Sequence, residues 1–272
     1  MKRILTIQDI SCVGKCSLTV ALPIISAMGV EAGVLPTAVL SNHTAFKKIT
    51  FCDLTDEISP ISECWQDEGI DFDGLYSGYL GSVRQINLVI ELYRTFGEGK
   101  LKLVDPEMAD NGKLYAGFSP EFPLEMARLC AVADIVIPNL TEACFMLKKE
   151  YKSSDYDEEY IKELLLGLTD LGAKKAVITG VSFDSERLGC YGYDSETKEF
   201  FIYFNDEIKQ KFHGTGDIFA SVCFGSLMRG ESLYGATKKA ADFVCESIKA
   251  TLNDERPITY GVHFEKVLNT LM

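Results

Sequence analysis

The segment HGTGD, residues 213–217, combines residue types that could bind an anion and accept a proton. Two glycines flank Thr215, and the apolar run that starts at Ile218 predicts a buried helix. A glycine turn at the start of a helix presents free backbone N–H groups to an anion, backed by the positive end of the helix dipole. Asp217, in the same turn, could accept the proton of a hydroxyl group that attacks a phosphoryl group.

The residues alone leave a structural interpretation of Asp217 open. Acidic side chains are favoured in the first turn of any helix, so the carboxylate needs no catalytic role. The chain contains no G-x-x-x-x-G-K-[ST] motif, and CVGKCS (12–17) lacks the upstream glycine of that motif. P-loop chemistry is therefore not supported.

Polar clusters also follow four predicted strands earlier in the chain. They are QDISCVGKCS (8–17), SGYLGS (77–82), DPEMADNGKLY (105–115) and PNLTE (138–142). Ligands of open α/β sheets bind beyond the carboxyl ends of the strands. We therefore expect these clusters and HGTGD to converge on one edge of a sheet.

Short apolar runs alternate with longer amphipathic runs along the chain. The predicted strands are Ile4–Ile7, Gly33–Pro36, Gly74–Tyr76, Lys102–Val104, Ile135–Ile137, Ala176–Thr179, Gly189–Gly192 and Phe200–Phe204. The predicted helices are Ser17–Met28, Thr55–Gln66, Val83–Phe96, Pro120–Cys130, Thr141–Lys148, Glu158–Leu171, Thr215–Arg229, Ser232–Asn253 and Tyr260–Leu271. This alternation predicts an α/β fold with a mostly parallel central sheet and helices on both faces.

The chain shows no repeat, low-complexity tract or Pro/Gly-rich linker. The polar stretch at 148–160 is typical of a solvated loop, so a single domain over residues 1–272 is predicted. An apolar content of 47% supports a sizeable core and argues against disorder. A net charge of −13 argues against nucleic acid or an anionic membrane as the main partner. It does not exclude a nucleotide, because backbone dipoles can hold phosphate in an acidic protein.

The nine cysteines are odd in number and scattered, and most lie in apolar surroundings. This usage indicates buried, reduced thiols in a cytoplasmic protein. Cys12 and Cys16 form the only close pair and have no partner motif, so a zinc site is poorly supported. The start of the chain, MKRILTIQDI, is too short for a signal peptide or a membrane span.

Five motifs together resemble the ribokinase-like superfamily and, within it, the pyridoxal (vitamin B6) kinases. They are SNHT (41–44), SGYLGS (77–82), DPEMADNGKLY (105–115), IPNLTE (137–142) and HGTGD (213–217). They occur in the family's order and spacing and span nearly the whole chain. GTGD marks the superfamily, whereas SNHT with SGYLGS indicates the B6 kinases.

The resemblance implies ATP-dependent phosphorylation of the 5′-hydroxyl of pyridoxal, pyridoxine or pyridoxamine. Asp217 would be the catalytic base, and the amides of Gly214, Thr215 and Gly216 would stabilise charge on the γ-phosphoryl group. Gly214 and Gly216 thereby also count among the ATP-binding residues. Thr44 and Tyr79 match positions at the substrate ring. A homodimer is implied by resemblance alone.

Further residues match family positions around the ATP phosphates. Asp105, Asn139 and Glu142 would organise Mg²⁺, with Asp105 and Glu142 acting directly or through water, and Thr179 would lie near the phosphates. Asn139 and Glu142 could instead only cap the following helix, since Asn-x-x-Glu suits a capping box, and both roles can coexist. Dependence on a monovalent cation such as K⁺ stays open. His43 is assigned no chemistry.

Two departures from the family pattern concern the substrate and the metal. Asp9 replaces a common serine and could pair with a protonated pyridine nitrogen. It also resembles an acidic residue of the hydroxymethylpyrimidine kinases. The segment DPEMAD replaces the common DPVMGD, so that Glu107 adds a charge and Ala109 removes the backbone freedom of a glycine.

Three other functions compete with B6 phosphorylation. Asp9 leaves a hydroxymethylpyrimidine kinase open, although SNHT and SGYLGS favour B6 kinases. An intact GTGD with Asp217 argues against a non-catalytic B6- or nucleotide-binding protein that kept the fold. A dinucleotide-dependent oxidoreductase fails because no G-x-G-x-x-G follows the first strand.

Overall fold

The computed structural model describes residues 1–256, 258 and 260–272. The first element of the chain is a buried strand. The strands are β1 (Arg3–Ser11), β2 (Glu31–Leu40), β3 (Phe51–Asp53), β4 (Gly74–Ser77), β5 (Leu101–Val104), β6 (Ala109–Asp110), β7 (Lys113–Leu114), β8 (Ile135–Val136), β9 (Lys175–Val181), β10 (Arg187–Asp194) and β11 (Glu199–Asp206). The α-helices are α1 (Leu18–Ala27), α2 (Thr55–Asp67), α3 (Val83–Phe96), α4 (Phe122–Cys130), α5 (Leu140–Met146), α6 (Glu158–Asp170), α7 (Thr215–Met228) and α8 (Leu233–Leu252). Two short 3-10 helices, Phe264–Lys266 and Leu268–Leu271, follow α8.

The chain divides into two compact units. Unit 1 comprises residues 1–78 and 208–272, and unit 2 comprises residues 79–207. The prediction of a single domain stays a prediction.

Unit 1 contains the strand order β4-β1-β2-β3. β4, β1 and β2 run parallel, and β3 pairs antiparallel with the edge of β2. Residues 4–9 of β1 are all buried, as expected for a strand that is covered on both faces. α7 lies among apolar neighbours on all sides, since eleven of its residues are buried, and it packs against α1 and α8.

Unit 2 contains the order β5-β8-β9-β10-β11. β5, β8 and β9 run parallel, and β10 and β11 extend the sheet as antiparallel strands. A separate two-stranded hairpin, β6–β7, lies in the segment that follows β5. α3 starts where Ser82 Oγ accepts a hydrogen bond from the Gln85 N–H group at 3.2 Å, as expected for an N-cap serine.

The eight predicted strands and the first eight predicted helices are confirmed, with most ends shifted by one to three residues. The α/β class with parallel strands at its centre is confirmed as well. The short strand β3 and the β6–β7 hairpin were not predicted. Within the described residues, no helix is long and apolar enough to cross a membrane.

The predicted helix Tyr260–Leu271 is wrong. The segment forms only the two 3-10 helices, because Gly261 has a φ of 154° that a helix cannot contain. A Cβ atom at Gly261 would lie 2.4 Å from Lys15 Cβ, so the chain passes too close to Lys15 for a helical side chain there. The apolar periodicity of this segment instead places Phe264 and Leu271 in the core of unit 1.

Candidate active site

The glycine turn of unit 1 forms the start of α7, as predicted. Gly214 has a left-handed conformation with φ 76° and ψ 4°. A Cβ atom there would lie 1.7 Å from the Lys15 carbonyl oxygen, so only glycine fits. The N–H groups of the first helical turn lack partners within the helix, which makes this turn suited to an anion. Asp217 lies in that turn and is 4% exposed.

Asp9 lies inside β1 rather than beyond its end, at an irregularity in the pairing of β1 with β2. Its two carboxylate oxygens accept hydrogen bonds from the hydroxyls of Ser17 (2.6 Å) and Ser11 (3.3 Å). Burial raises the pKa of Asp9, and these bonds lower it in part. The structure thus shows how this carboxylate is oriented, which the sequence could not.

Cys16 is a neighbour of both acidic residues in unit 1. The pKa of its thiol is raised by burial, by the charge of Asp217 and by the charge of Asp9. The thiol therefore stays protonated in the field of two carboxylates. Cys12 is exposed, whereas Cys16 is buried, so this pair differs in environment. The proximity of Cys16 to both carboxylates is visible only in the three-dimensional structure.

The SNHT loop contacts the glycine turn through two histidines that sequence analysis left without a role. The rings of His43 and His213 lie 4.9 Å apart between centroids. The His43 backbone N–H group bonds to the Val13 carbonyl oxygen (2.9 Å), and its Nδ1 accepts from the Ala45 N–H group (3.0 Å). Burial and the nearby His213 lower the pKa of His43. Thr44, the predicted ring-binding residue, is exposed on this loop.

In unit 2, Asn139 and Glu142 form a capping box at the start of α5. Asn139 Oδ1 accepts from the Glu142 N–H group (3.0 Å), and Glu142 Oε2 accepts from the Asn139 N–H group (2.8 Å). The capping interpretation is therefore confirmed. Thr179 pairs with Asn139 as a parallel bridge, and its N–H group donates to the Pro138 carbonyl oxygen (3.0 Å).

The same side chains hold the loop that follows β5. Glu142 Oε1 accepts from the N–H groups of Met108 (3.0 Å) and Ala109 (3.4 Å), and Asn139 Nδ2 donates to the Ala109 carbonyl oxygen (2.8 Å). Burial raises the pKa of Glu142 to about 8, and the three N–H groups that it accepts from oppose that shift. Glu142 therefore ties the loop to α5.

The loop turns through Asn111 and Gly112, which have φ values of 50° and 72°. These angles are typical of a type I′ hairpin turn, and Asn-Gly is its usual sequence. This dipeptide is the sequence signal from which the β6–β7 hairpin could have been predicted. Ala109 lies buried in β6, where an alanine needs no glycine-like freedom.

Tyr115, at the end of this loop, lies near four carboxylates. Burial and the charges of Glu142, Glu107, Asp110 and Asp105 all raise the pKa of its hydroxyl group. An accumulation of negative charge around oxygen ligands suits a hard cation such as Mg²⁺. No group of three or more ligating side chains lies close enough to hold a metal in the described part of the chain. A Mg²⁺ ion bound here would therefore have to keep several waters as ligands.

Tyr79, the other predicted ring-binding residue, lies half-buried in unit 2. Its ring is 5.8 Å from that of Phe118, which stacks on Phe122 at 3.9 Å. The predicted residues thus form two groups. Asp9 and Asp217 belong to unit 1 with the glycine turn and Thr44, and Asp105, Asn139, Glu142, Thr179 and Tyr79 belong to unit 2. Their catalytic and binding roles stay predictions.

Comparison with known proteins gives a consistent result. The model of the phosphomethylpyrimidine kinase family matches residues 22–259. A protein of Bacteroides thetaiotaomicron that is assigned to the phosphomethylpyrimidine kinases, crystallised in one form with pyridoxal, has a TM-score of 0.94 at 40% identity. The match covers 99% of this chain and 95% of that one.

Two further relatives carry the name pyridoxal kinase. The Lactobacillus plantarum enzyme has a TM-score of 0.90 at 29% identity, over 100% of this chain and 96% of that one. The pyridoxal kinase of Histophilus somni is 28% identical over 93% of this chain and 90% of its own length. These neighbours confirm the ribokinase-like fold.

Proposed function

The chain belongs to the phosphomethylpyrimidine kinase family of the ribokinase-like superfamily, and from this premise we propose that it phosphorylates the 5′-hydroxyl of a B6 vitamer. It is an enzyme of the pyridoxal kinase type, a phosphotransferase that uses ATP. Pyridoxal, pyridoxine and pyridoxamine are the proposed acceptors. The reaction salvages B6 as its 5′-phosphate.

The geometry of Asp217 carries this proposal. A buried carboxylate in the first turn of α7, behind a left-handed glycine, combines a proton acceptor with an anion-binding turn. The 5′-hydroxyl oxygen would form the new bond to the γ-phosphorus while its proton passes to Asp217. The bond from the γ-phosphorus to the ADP oxygen breaks. The amides of Gly214, Thr215 and Gly216 would stabilise charge on the transferred group.

The segment that follows β5, residues 105–115, carries several carboxylates and is called the acidic loop below. It supports a Mg²⁺ role for Asp105 and Glu142. Both carboxylate oxygens of Glu142 already accept backbone N–H groups. Glu142 would therefore contact Mg²⁺ through a metal-bound water rather than as a direct ligand. When bound, Mg²⁺ neutralises charge on the ATP phosphates. Asn139 and Thr179 would lie at the phosphates, and Thr44, Tyr79 and Asp9 would contact the pyridine ring.

Hydroxymethylpyrimidine kinase activity is the less favoured function. The family description includes phosphomethylpyrimidine kinases, but the curated relatives carry the name pyridoxal kinase and the 40% identical protein was crystallised with pyridoxal. The deciding experiment is a coupled ADP-release assay with pyridoxal, pyridoxine, pyridoxamine and hydroxymethylpyrimidine in parallel. We expect the highest kcat/KM for a B6 vitamer. A higher value for hydroxymethylpyrimidine, or no ADP release with any B6 vitamer, would refute the proposal.

Three further properties belong to the same proposal. Residues 1–272 would act as one kinase domain, the chain would form a homodimer, and it would act in the cytoplasm. The family resemblance supports each of them, and the scattered cysteines support a reducing compartment. Light scattering of the purified protein tests the dimer, since a monomer mass of 30.2 kDa would contradict it.

A further inference from the structure

The glycine turn of unit 1 rests on the backbone of Lys15. A Cβ atom at Gly214 would lie 1.7 Å from the Lys15 carbonyl oxygen and 2.9 Å from its carbonyl carbon. The two backbones are thus in direct contact over the turn that precedes Asp217. A shift of the Lys15 peptide would therefore move Gly214 and the amides that follow it.

The side chain of Lys15 is in turn held by the segment that follows α8. Its Nζ atom forms an ion pair with Glu265 Oε2 at 2.5 Å and lies 5.2 Å from the centre of the Phe264 ring. Its Cβ atom touches the backbone of Gly261, which has no side chain to interfere. Three residues of one short segment therefore fix a single lysine.

The environment of this ion pair differs from that of an ordinary surface pair. The Lys15 side chain is 13% exposed, and the Phe264 beneath it is fully buried. A partly desolvated cation is attracted more strongly to both a carboxylate and a ring face than an exposed one. Lys15 and Glu265 are 250 residues apart in sequence, so the pair joins the two ends of unit 1.

We propose that Lys15 is a positioning residue for phosphoryl transfer, and that Glu265 holds it in place. The Lys15–Glu265 pair fixes the Lys15 peptide, and that peptide fixes the Gly214–Gly216 turn. In this proposal Lys15 acts through the turn and not on the reacting atoms. This inference rests on the proposed function, in which the amides of that turn stabilise charge on the transferred group.

The first test is Lys15→Met, which keeps the length of the side chain and removes its charge. We expect kcat to fall by about tenfold, because small displacements of positioning groups cost up to about a hundredfold. KM for ATP and for pyridoxal should change by less than about twofold, since the turn acts mainly on charge that develops in the transition state. Lys15→Arg, which keeps the charge, should recover most of the lost rate.

Lys266→Met is the matched control. Lys266 lies one residue beyond Glu265 and pairs with Asp254 at 2.5 Å, but it does not contact Lys15. Its loss should lower the melting temperature at most and leave kcat unchanged. Equal losses of kcat in Lys15→Met and Lys266→Met would overturn the proposal, because a general loosening of the segment would then explain both.

Glu265→Gln gives a second, milder variant, since Glu265 is about half exposed and we expect its substitution to leave the fold intact. If the two residues act as a pair, the double variant Lys15→Met/Glu265→Gln loses no more kcat than Lys15→Met alone. Effects that multiply instead would show that the two side chains act independently and would contradict the inference.

Hydrogen exchange provides a test that does not depend on catalysis. The amides of residues 212–217 should exchange several-fold faster in Lys15→Met than in the wild type or in Lys266→Met. Unchanged exchange overturns the positioning role even if the enzyme is active. A wild-type chain that phosphorylates no B6 vitamer refutes the proposed function, while the exchange result still decides whether Lys15 supports the turn.

Discussion

At the scale of single residues, the proposed base lies in a cluster that the sequence did not indicate. The Cys16 thiol is close to both Asp9 and Asp217, and its pKa is raised by the charges of both. A protonated thiol near the two carboxylates adds no third charge. Ser11 and Ser17 orient Asp9 through side-chain hydrogen bonds, so the two acids have different surroundings and can have different tasks.

Asp217→Asn tests the base directly. The amide keeps the shape of the side chain but cannot accept the hydroxyl proton, so we expect turnover to fall by ~10²-fold or more. ATP should still bind, as measured by isothermal titration. Turnover close to that of the wild type would remove Asp217 from the reaction and leave it as a helix-start acid.

Asp9→Ser tests whether Asp9 contacts the pyridine nitrogen. The vitamer whose ring nitrogen pairs with Asp9 would lose that charge pair, so kcat/KM should change unequally among the three vitamers. For that vitamer the fall in kcat/KM should correspond to a loss of ~1–3 kcal/mol of transition-state stabilisation. If the ratio of variant to wild-type kcat/KM is the same for all three vitamers, Asp9 does not contact the ring and is only a partner of the two serines.

The pH dependence of stability gives an independent check on Asp9. Its pKa is raised in the folded state, so ionisation of Asp9 opposes folding, and stability is lost as the pH rises above 3.8, the ordinary pKa of an aspartate. Removing the carboxyl group should therefore reduce the loss of stability between acidic and neutral pH. Melting curves of the wild type and Asp9→Ser over this range measure the difference.

At the scale of elements, the capping box of α5 does more than start a helix. Glu142 Oε2 accepts the N–H group of α5's own cap, and Oε1 accepts two N–H groups from the loop after β5. The short helix α5 and the acidic loop are thus one assembly. A substitution at Glu142 should change helix stability and loop position together.

Glu142→Gln tests whether Glu142 only caps α5 or also organises Mg²⁺. A glutamine amide nitrogen cannot accept an N–H group, so we expect a loss of about 1–3 kcal/mol in the free energy of unfolding. If the loop organises Mg²⁺, the Mg²⁺ concentration for half-maximal rate should also rise. Asp157→Ala, which removes the cap of α6 from Tyr160 N–H, is the control and should lower stability alone. An unchanged Mg²⁺ dependence would leave only the capping role.

Elements with strong local signals could be predicted from the sequence. α3 has the predicted bounds because Ser82 caps it and its apolar residues recur with helical spacing. β3 was missed because its three residues are exposed and give no apolar pattern. The tail after Tyr260 was mistaken for a helix because the backbone of Gly261 is set by contact with Lys15, far away in sequence.

The candidate site shows the same division. GTGD and Asn-x-x-Glu are local patterns, and the turn and the capping box that they predict are present. The partners of Asp9, the place of Cys16 and the Lys15–Glu265 pair depend on contacts between distant segments. No periodicity or composition carries that information.

At the scale of the whole molecule, the residues with proposed roles are divided between the two units. Binding of either ligand stabilises the folded chain by mass action, by about 2.7 kcal/mol at a concentration one hundred times Kd. We expect ADP with Mg²⁺ and pyridoxal each to raise the melting temperature of the wild type. Asp217→Asn should keep the ADP shift, whereas Glu142→Gln should reduce that shift and keep the one from pyridoxal.

These shifts are measured by differential scanning fluorimetry, with hydroxymethylpyrimidine as the comparison ligand. No shift with any B6 vitamer at millimolar concentration would contradict the proposed substrate class. An ADP shift that does not depend on Mg²⁺ would contradict the role of the acidic loop.

The division of the chain has a consequence for its biosynthesis. Unit 2 is one continuous segment, whereas unit 1 needs residues 1–78 and 208–272 together. On a ribosome, all of unit 2 is therefore synthesised before residues 208–272, which complete unit 1. At ~5–20 residues per second, the last segment follows over about 3 to 13 s. During that interval α1 lacks α7, the helix against which it packs, and its apolar residues stay accessible to chaperones.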